Sequence, residues 1–327
     1  MIHRRQLLQA GAAFGALVSA RAMAQSGDVL RIVCGFPAGG TADSTARRVG
    51  DLMAGSSFAP QAVVIDNRVG AGGRLAVEAV RDAAPDGRTL LLTPQGALTI
   101  YPHVYTKLRY DPLRDFAPIS TATVMTQALA VGPMVPASVR TVNDFVAWAR
   151  ANPGKASYGS PGAGTAPHFL MALLALRSGV PLAHVPYRGS VPGVTDLAGG
   201  QTAAMCTPTG DFLAFYRAGK LRILATSGAA RTPFTPEVQS FAEAGFPELT
   251  SEEWYGFLAP ARTPASVVAA ANAAIQGALA QKSFVDSMAI LGLTVHGSSP
   301  QAMAQSIQAD LDHWRPLVKQ VGFTAES

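Results

Sequence analysis

The chain is poor in cysteine, in charged residues and in aromatic residues. Its 327 residues include 2 cysteines, 14% charged residues and 7% aromatic residues, against 48% apolar residues. Two cysteines cannot supply a zinc cluster with CxxC spacing or a disulfide framework, although a single bridge remains open. Because Cys34 and Cys206 fall in strand patterns of different halves of the chain, we predict two buried thiols. The apolar content predicts a large core and excludes disordered, collagen-like and miniprotein classes.

Net charge gives no sign of a nucleic-acid or membrane partner. The formal charge of +5 comes from 26 basic and 21 acidic residues, and it falls to +2 without Arg4, Arg5 and Arg21. These three arginines lie in an N-terminal segment that we predict to be removed. A net charge this small does not indicate a nucleic-acid partner. No later apolar run is long enough to span a bilayer.

Residues 1–24 have the composition of an export signal. A basic start is followed by the apolar stretch Leu7–Ala20 and by small residues that end at Ala24. We predict cleavage after about Ala24, and a permanent anchor is the weaker alternative because the stretch is short and contains glycines. The pair Arg4-Arg5 resembles a twin-arginine signal, but the general secretory route stays open.

After residue 28, short strand patterns alternate with helical patterns, which is typical of βαβ units on mostly parallel sheets. The length suits two domains. A capping-box-like start at Thr141 and a start at Ser299-Pro300 predict two of the helices. The predicted strands are Leu30–Cys34, Ala62–Asp66, Thr89–Thr93, Ala117–Val131, Ala156–Gly159, Ala183–Tyr187, Thr202–Cys206, Leu221–Thr226 and Trp254–Leu258.

Two glycine-rich loops, 36–43 and 159–168, each lie between a predicted strand and a predicted helix. Glycine lets the backbone approach a ligand, and the helix that follows offers free N–H groups and the positive end of its dipole. Both loops therefore suit an anion, although either could be an ordinary βα turn. They lack the Gly-Lys-Ser/Thr ending of a P-loop, and Pro167 stands where a dinucleotide motif has its third glycine.

Motifs along the whole mature chain resemble those of the periplasmic solute receptors of the tripartite tricarboxylate transporter family, also called Bug or TctC-like proteins. They include 36–43 (FPAGGTAD), 66–73 (DNRVGAGG), 158–162 (YGSPG), 185–189 (VPYRG), 218–222 (AGKLR) and 254–260 (WYGFLAP). The resemblance implies an α/β, two-domain, type II periplasmic-binding-protein fold, with each sheet mostly parallel and flanked by helices. It places domain 1 at 25–122 and 257–327, and domain 2 at 123–256.

The same resemblance implies a small organic acid held between the domains, with one carboxylate gripped by backbone amides of the two loops. The partners it implies are membrane subunits of a tripartite tricarboxylate transporter; we expect a monomer without metal or cofactor. The predicted ligand-binding residues are Phe36, Pro37, Ala38, Gly39, Gly40, Asp43, Gln95, Gly96, Ser160, Gly162, Ala163, Gly164, Thr165, His168, Tyr187, Thr207 and Asp211.

The segments 93–97 and 206–211 depart from the family pattern. Gln95, Thr207, Thr209 and Asp211 are therefore candidates for reading the far end of the solute, where no basic residue is evident. We predict a far end that is neutral, hydroxylated or amino-bearing, as in a monocarboxylate, an amino acid or a nicotinate-like acid, ahead of a citrate-like acid, because unpaired buried carboxylates are costly. A succinate-like or adipate-like diacid is the runner-up, since backbone amides and waters could satisfy its second carboxylate. Asp211 could equally cap the helix that follows.

Several polar residues carry structural alternatives. Asp43 is expected to stabilise a helix start, His168 to brace its loop, and Arg188 to lie exposed at the rim. A hydrolase that uses Ser160 is a minor alternative because no GxSxG elbow is present. A receptor that serves a sensor instead of a transporter is a further alternative.

Overall fold

The computed structural model describes residues 29–325, so the predicted export segment 1–24 lies outside the described residues. Strands and helices alternate through most of this range. The strands are β1 (Arg31–Cys34), β2 (Val64–Asn67), β3 (Thr89–Pro94), β4 (Phe116–Val131), β5 (Ser157–Ser160), β6 (Ala183–Pro186), β7 (Ala204–Pro208), β8 (Arg222–Thr226), β9 (Glu252–Pro260) and β10 (Thr294–Val295). The helices are α1 (Thr41–Met53), α2 (Arg74–Arg81), α3 (Gly96–Thr99), α4 (Tyr101–Val104), α5 (Val142–Ala151), α6 (Ala166–Ser178), α7 (Ser190–Ala198), α8 (Thr209–Arg217), α9 (Ala265–Leu279), α10 (Lys282–Ile290) and α11 (Pro300–Val321).

The strands form one mixed sheet in the order β2-β1-β3-β9-β4-β7-β5-β6, and β8 and β10 also pair with β4. Strand β4 joins two halves of this sheet. It pairs with β9 from Phe116 to Thr126, with β7 from Gln127 to Val131 and with β8 from Ala128 to Val131. We call the part that contains β1, β2 and β3 the first half, and the part that contains β5, β6 and β7 the second half. The α/β fold class predicted from the sequence is confirmed.

The sheet is buried on both faces, as expected for parallel strands between helices. In β1, Ile32 and Cys34 pack into one apolar cluster, whereas Val33 packs into a second cluster on the opposite face. In the part of β4 that belongs to the second half, Leu129 and Ala130 likewise enter different clusters. Because successive strand residues point to opposite faces, these short apolar runs fix the strands between two helical layers.

All nine predicted strands are present with small shifts of their ends, and the two-residue β10 was not predicted. The capping box at Thr141 is confirmed, since its hydroxyl accepts from the Asp144 amide and the Asp144 carboxylate accepts from the Thr141 amide. Ser299 caps α11 in a similar way. The buried stripe of this helix consists of Met303, Ile307, Leu311, Trp314 and Val318.

Cys34 and Cys206 are both buried free thiols, as predicted. Burial raises the pKa of the Cys34 thiol to about 12.

Between residues 29 and 325, no helix has both the length and the apolarity that crossing a membrane requires.

Candidate functional site

A cavity lies between the two halves, at the carboxyl ends of β1, β3 and β7 and beside the loop that follows β5. Its empty volume is about 460 Å³, open solvent at the mouth included. Ligand sites of α/β proteins occupy this edge of the sheet, where strands end and helices begin. The lining residues are Phe36, Gly40, Thr41, Ala42, Pro94, Gly96, Ala97, Tyr101, Pro161, Thr165, Pro167, Ser190, Pro208, Asp211, Glu253 and Tyr255.

Four helix N-termini converge on this cavity. Helix α1 comes from the first half and α6, α7 and α8 come from the second half, and all four are 9 to 13 residues long. The first residues of each helix, or the residue before it, belong to the lining. The first-turn amides of a helix have no acceptor inside the helix, and each N-terminus carries roughly half a positive charge. The cavity can therefore stabilise an anion without a basic side chain.

Some of these amides are free. Ala42 in α1 and Ser190 in α7 line the cavity, and neither backbone N–H has an acceptor within residues 29–325. The two helix starts are close together, since a side-chain carbon on Gly40 would lie 3.4 Å from the Ser190 hydroxyl oxygen. Residues with free backbone donors from both halves therefore line one space. No lysine, arginine or histidine belongs to the lining in the described part of the chain.

The first glycine-rich loop is braced by Asp43. Its carboxylate accepts from the Gly39 amide at 3.0 Å, from Arg47 Nε at 2.9 Å and from Asn67 Nδ2 at 2.8 Å. Burial acts against ionisation, but hydrogen bonds from Arg47, Gly39 and Asn67 together hold the pKa of Asp43 below its usual value. Gly39 adopts φ +88°, in the left-handed region that favours glycine. Asp43 does not line the cavity, so its evident role is to fix the loop.

The second loop is braced by two histidines. The Gly164 amide donates to Nδ1 of His168 at 3.1 Å, and Ser160 Oγ lies 2.7 Å from Nε2 of His184. The two imidazole rings stack with centroids 3.9 Å apart. Burial lowers the pKa of His168 to about 3 and that of His184 to about 4, so both rings are neutral at neutral pH. His168 therefore braces its loop, as the sequence analysis expected.

The pair of Ser160 and His184 does not make a nucleophile. Ser160 is fully buried, its hydroxyl also bonds the Gly162 carbonyl oxygen at 3.0 Å, and it does not line the cavity. Within residues 29–325, no carboxylate contacts His184 to orient it as a base. The arrangement lacks the third member of a catalytic triad and access to a substrate.

Two carboxylates face the cavity. Asp211 lies in the first turn of α8 and accepts from the Thr41 amide at 2.9 Å and from the Thr207 hydroxyl at 3.2 Å. Its side chain thus joins the two halves, and burial raises its pKa although these bonds oppose the rise. Glu253 accepts from the Gly96 amide at 3.0 Å and from Gln127 Nε2 at 2.8 Å. Burial raises the pKa of Glu253 to about 7.

The predicted residues divide into two groups. Those that line the cavity are Phe36, Gly40, Gly96, Thr165 and Asp211. The others belong to the supporting loops and strands and do not line it; they are Pro37, Ala38, Gly39, Asp43, Gln95, Ser160, Gly162, Ala163, Gly164, His168, Tyr187 and Thr207.

Some of the supporting residues make contacts that the sequence did not indicate. The Tyr187 hydroxyl donates to Asp196 at 3.0 Å, and Thr209 bonds Thr126. Gln95 is buried, and its Oε1 has no donor among the described residues. Arg188 is exposed and does not line the cavity.

Sequence reasoning missed lining residues that come from outside the two loops. Glu253 and Tyr255 lie on β9, which crosses between the halves, and the Tyr255 hydroxyl is 2.9 Å from Thr41 Oγ1. Tyr101 follows β3 and donates to the Gly72 carbonyl oxygen at 2.6 Å. Ser190 begins α7 directly after Gly189, the last residue of the motif 185–189. The strand-to-helix change at this glycine could have indicated it.

The fold and the cavity define an α/β binding protein whose cavity lies between two groups of helices. The sequence profile of the tripartite tricarboxylate transporter family receptor matches residues 46–323. The chain belongs to this family of solute-binding receptors, which confirms the resemblance seen in its motifs.

Similar proteins cover most of the chain. A protein of Pseudomonas sp. (strain P51), named for the tcbD-tcbE intergenic region, is 37% identical over 86% of this chain and 83% of its own length. Protein BugT of Bordetella pertussis is 31% identical over 90% of this chain and 89% of its own length. Among solved structures, R. palustris Rpa4515 with adipate is 30% identical, has a TM-score of 0.85, and is matched over 91% of this chain and 98% of that one.

Proposed function

We propose that this protein is a periplasmic receptor that captures a small organic carboxylate in the cavity between its two halves. The observation that carries the proposal is the convergence of four helix N-termini from both halves on a cavity that, within residues 29–325, no basic side chain lines. Such termini bind carboxylates through backbone N–H groups and the helix dipole. Family membership and a similar structure that holds adipate support the same ligand chemistry.

In this proposal the solute is gripped by first-turn amides more than by the glycines themselves. The amides of Gly39, Gly162 and Gly164 already donate to groups of their own loops. The free amides of Ala42 and Ser190 come from opposite halves. A carboxylate that accepts from both would hold the halves together, so binding favours the closed arrangement.

We further propose that residues 25–122 with 257–327 and residues 123–256 move as two domains. Strands β4 and β9 cross between them, and bending near 122–131 and 254–258 would open the cavity to solvent. The closed shape would then be recognised by the membrane subunits of a tripartite tricarboxylate transporter. Capture and delivery of this kind need no chemical step, so the protein is not an enzyme in this account.

A thermal-shift screen of organic acids, amino acids and aromatic acids tests the proposal. A ligand at about a hundredfold its Kd stabilises the folded state by about 2.7 kcal/mol, which raises the melting temperature by several degrees. We expect at least one small carboxylate to do so, whereas the matched amide or alcohol does not. Stabilisation by uncharged analogues alone would contradict a carboxylate receptor.

A further inference from the structure

The Asp211 carboxylate occupies a place that an anionic ligand would otherwise take. Its Oδ1 accepts from the Thr41 amide at the start of α1, and the Ser190 side chain at the start of α7 also bonds it. Thr207 supplies a further hydroxyl donor at 3.2 Å. The remaining surface of Asp211 faces the cavity. The protein therefore places a carboxylate of its own at the starts of the two helices that carry the free amides of Ala42 and Ser190.

The helix N-termini and the two carboxylates that face the cavity have charges of opposite sign. The four helix N-termini together amount to roughly two positive charges, at about half a charge each. Asp211 and Glu253 offset them with up to two negative charges, and no lysine, arginine or histidine of the described residues lines the cavity. An anionic solute would lie beside the Asp211 carboxylate, and two such groups in one buried site do not both stay ionised unless a cation lies with them. A solute that carries an ammonium group as well as its carboxylate supplies that cation.

The geometry points to a zwitterionic solute, an amino acid whose protonated amine faces Asp211 while its carboxylate accepts from helix-start amides. The inference rests on the proposed function and narrows its ligand class. The positions support an amine next to the carboxylate, as in an α-amino acid. Asp211 is bound to the starts of the same two helices, α1 and α7, that carry the free amides.

Paired ligands test this most sharply with the purified mature protein. Each α-amino acid is compared by isothermal titration with the 2-hydroxy acid that has the same side chain, such as alanine with lactate, leucine with 2-hydroxyisocaproate and aspartate with malate. The two members of a pair differ only in that the amino acid carries an ammonium group where the hydroxy acid carries a hydroxyl group. We expect the best amino acid to bind about tenfold or more tightly than its hydroxy partner.

The variant Asp211→Asn removes the charge but keeps a hydrogen-bonding side chain of the same shape. We expect it to reduce the preference for the amino acid over its hydroxy partner to about threefold or less. Asp286→Asn, at an exposed aspartate of α10, is the matched control and should keep the preference. Circular dichroism checks that each variant folds, and the paired titrations on the unmodified protein test the inference without any variant.

The outcomes separate this inference from the function it rests on. If hydroxy acids or diacids bind as tightly as amino acids or more tightly, the zwitterion is wrong and the carboxylate receptor stands. If Asp211→Asn keeps the full preference, Asp211 does not select the amine. If no carboxylate of any kind binds, both proposals fail together.

Discussion

Replacing Gly210 by alanine is expected to prevent closure of the cavity and to lower solute affinity more than about a hundredfold, or about 2.7 kcal/mol. Gly210 lies in the first turn of α8. A side-chain carbon at this position would overlap the carbonyl oxygen of Leu291 and lie 2.9 Å from Cγ2 of Thr41. Both neighbours belong to the other proposed domain. Because backbone atoms form the obstacle, the two halves must separate to admit the methyl group.

The control is Gly154→Ala, since a side-chain carbon there would meet nothing within 4 Å. Small-angle scattering compares the radius of gyration with and without a saturating solute. Unmodified protein and the control should contract, whereas Gly210→Ala should remain open at the same solute concentration. Closure and binding that match the unmodified protein would show that this contact does not belong to the closed state.

The second large effect is expected for Gly162→Val, in the loop that follows β5. A side-chain carbon on Gly162 would lie 3.1 Å from Cα of Gly72 in the first half and 3.6 Å from Cγ2 of Thr165. The branched side chain of valine would push the loop away from the first half and displace the start of α6. We expect a loss of binding of about a hundredfold or more, measured by isothermal titration.

Arg188→Ala is the matched test of how the carboxylate is held. Arg188 is exposed and outside the lining, so a grip by backbone amides predicts a loss of about threefold or less, or about 0.7 kcal/mol. A guanidinium that paired directly with a buried carboxylate would instead cost about 3 kcal/mol or more on removal. A loss of that size for Arg188→Ala, with Gly162→Val still binding, would show that the guanidinium holds the carboxylate more strongly than the backbone amides do.

The sequence predicted the sheet and the two loops because both depend on local signals. Short apolar runs marked the nine strands, and glycine followed by a helical pattern marked the loop before α1 and the loop before α6. Asp211 was a candidate ligand-binding residue because the segment 206–211 departs from the family pattern. Its bond to the Thr41 amide joins residues 170 positions apart, so no local pattern could indicate it.

Glu253 shows the same limit more clearly. It stands in a strand that pairs antiparallel with β3 and β4, and it reaches the cavity only because that strand crosses between the halves. Its acceptor role toward Gly96 depends on how β9 lies against the end of β3. The brace between Ser160 and His184 likewise depends on the parallel pairing of β5 with β6. Register and strand crossing are tertiary properties, and local sequence signals do not encode them.

A crystal structure with the most stabilising carboxylate bound would show directly which groups hold it. We expect its carboxylate oxygens within about 3.2 Å of backbone nitrogens from both halves, including a first-turn amide of α1, with Arg188 at the rim. A carboxylate paired with a lysine or arginine side chain, or bound outside the cavity, would contradict this expectation.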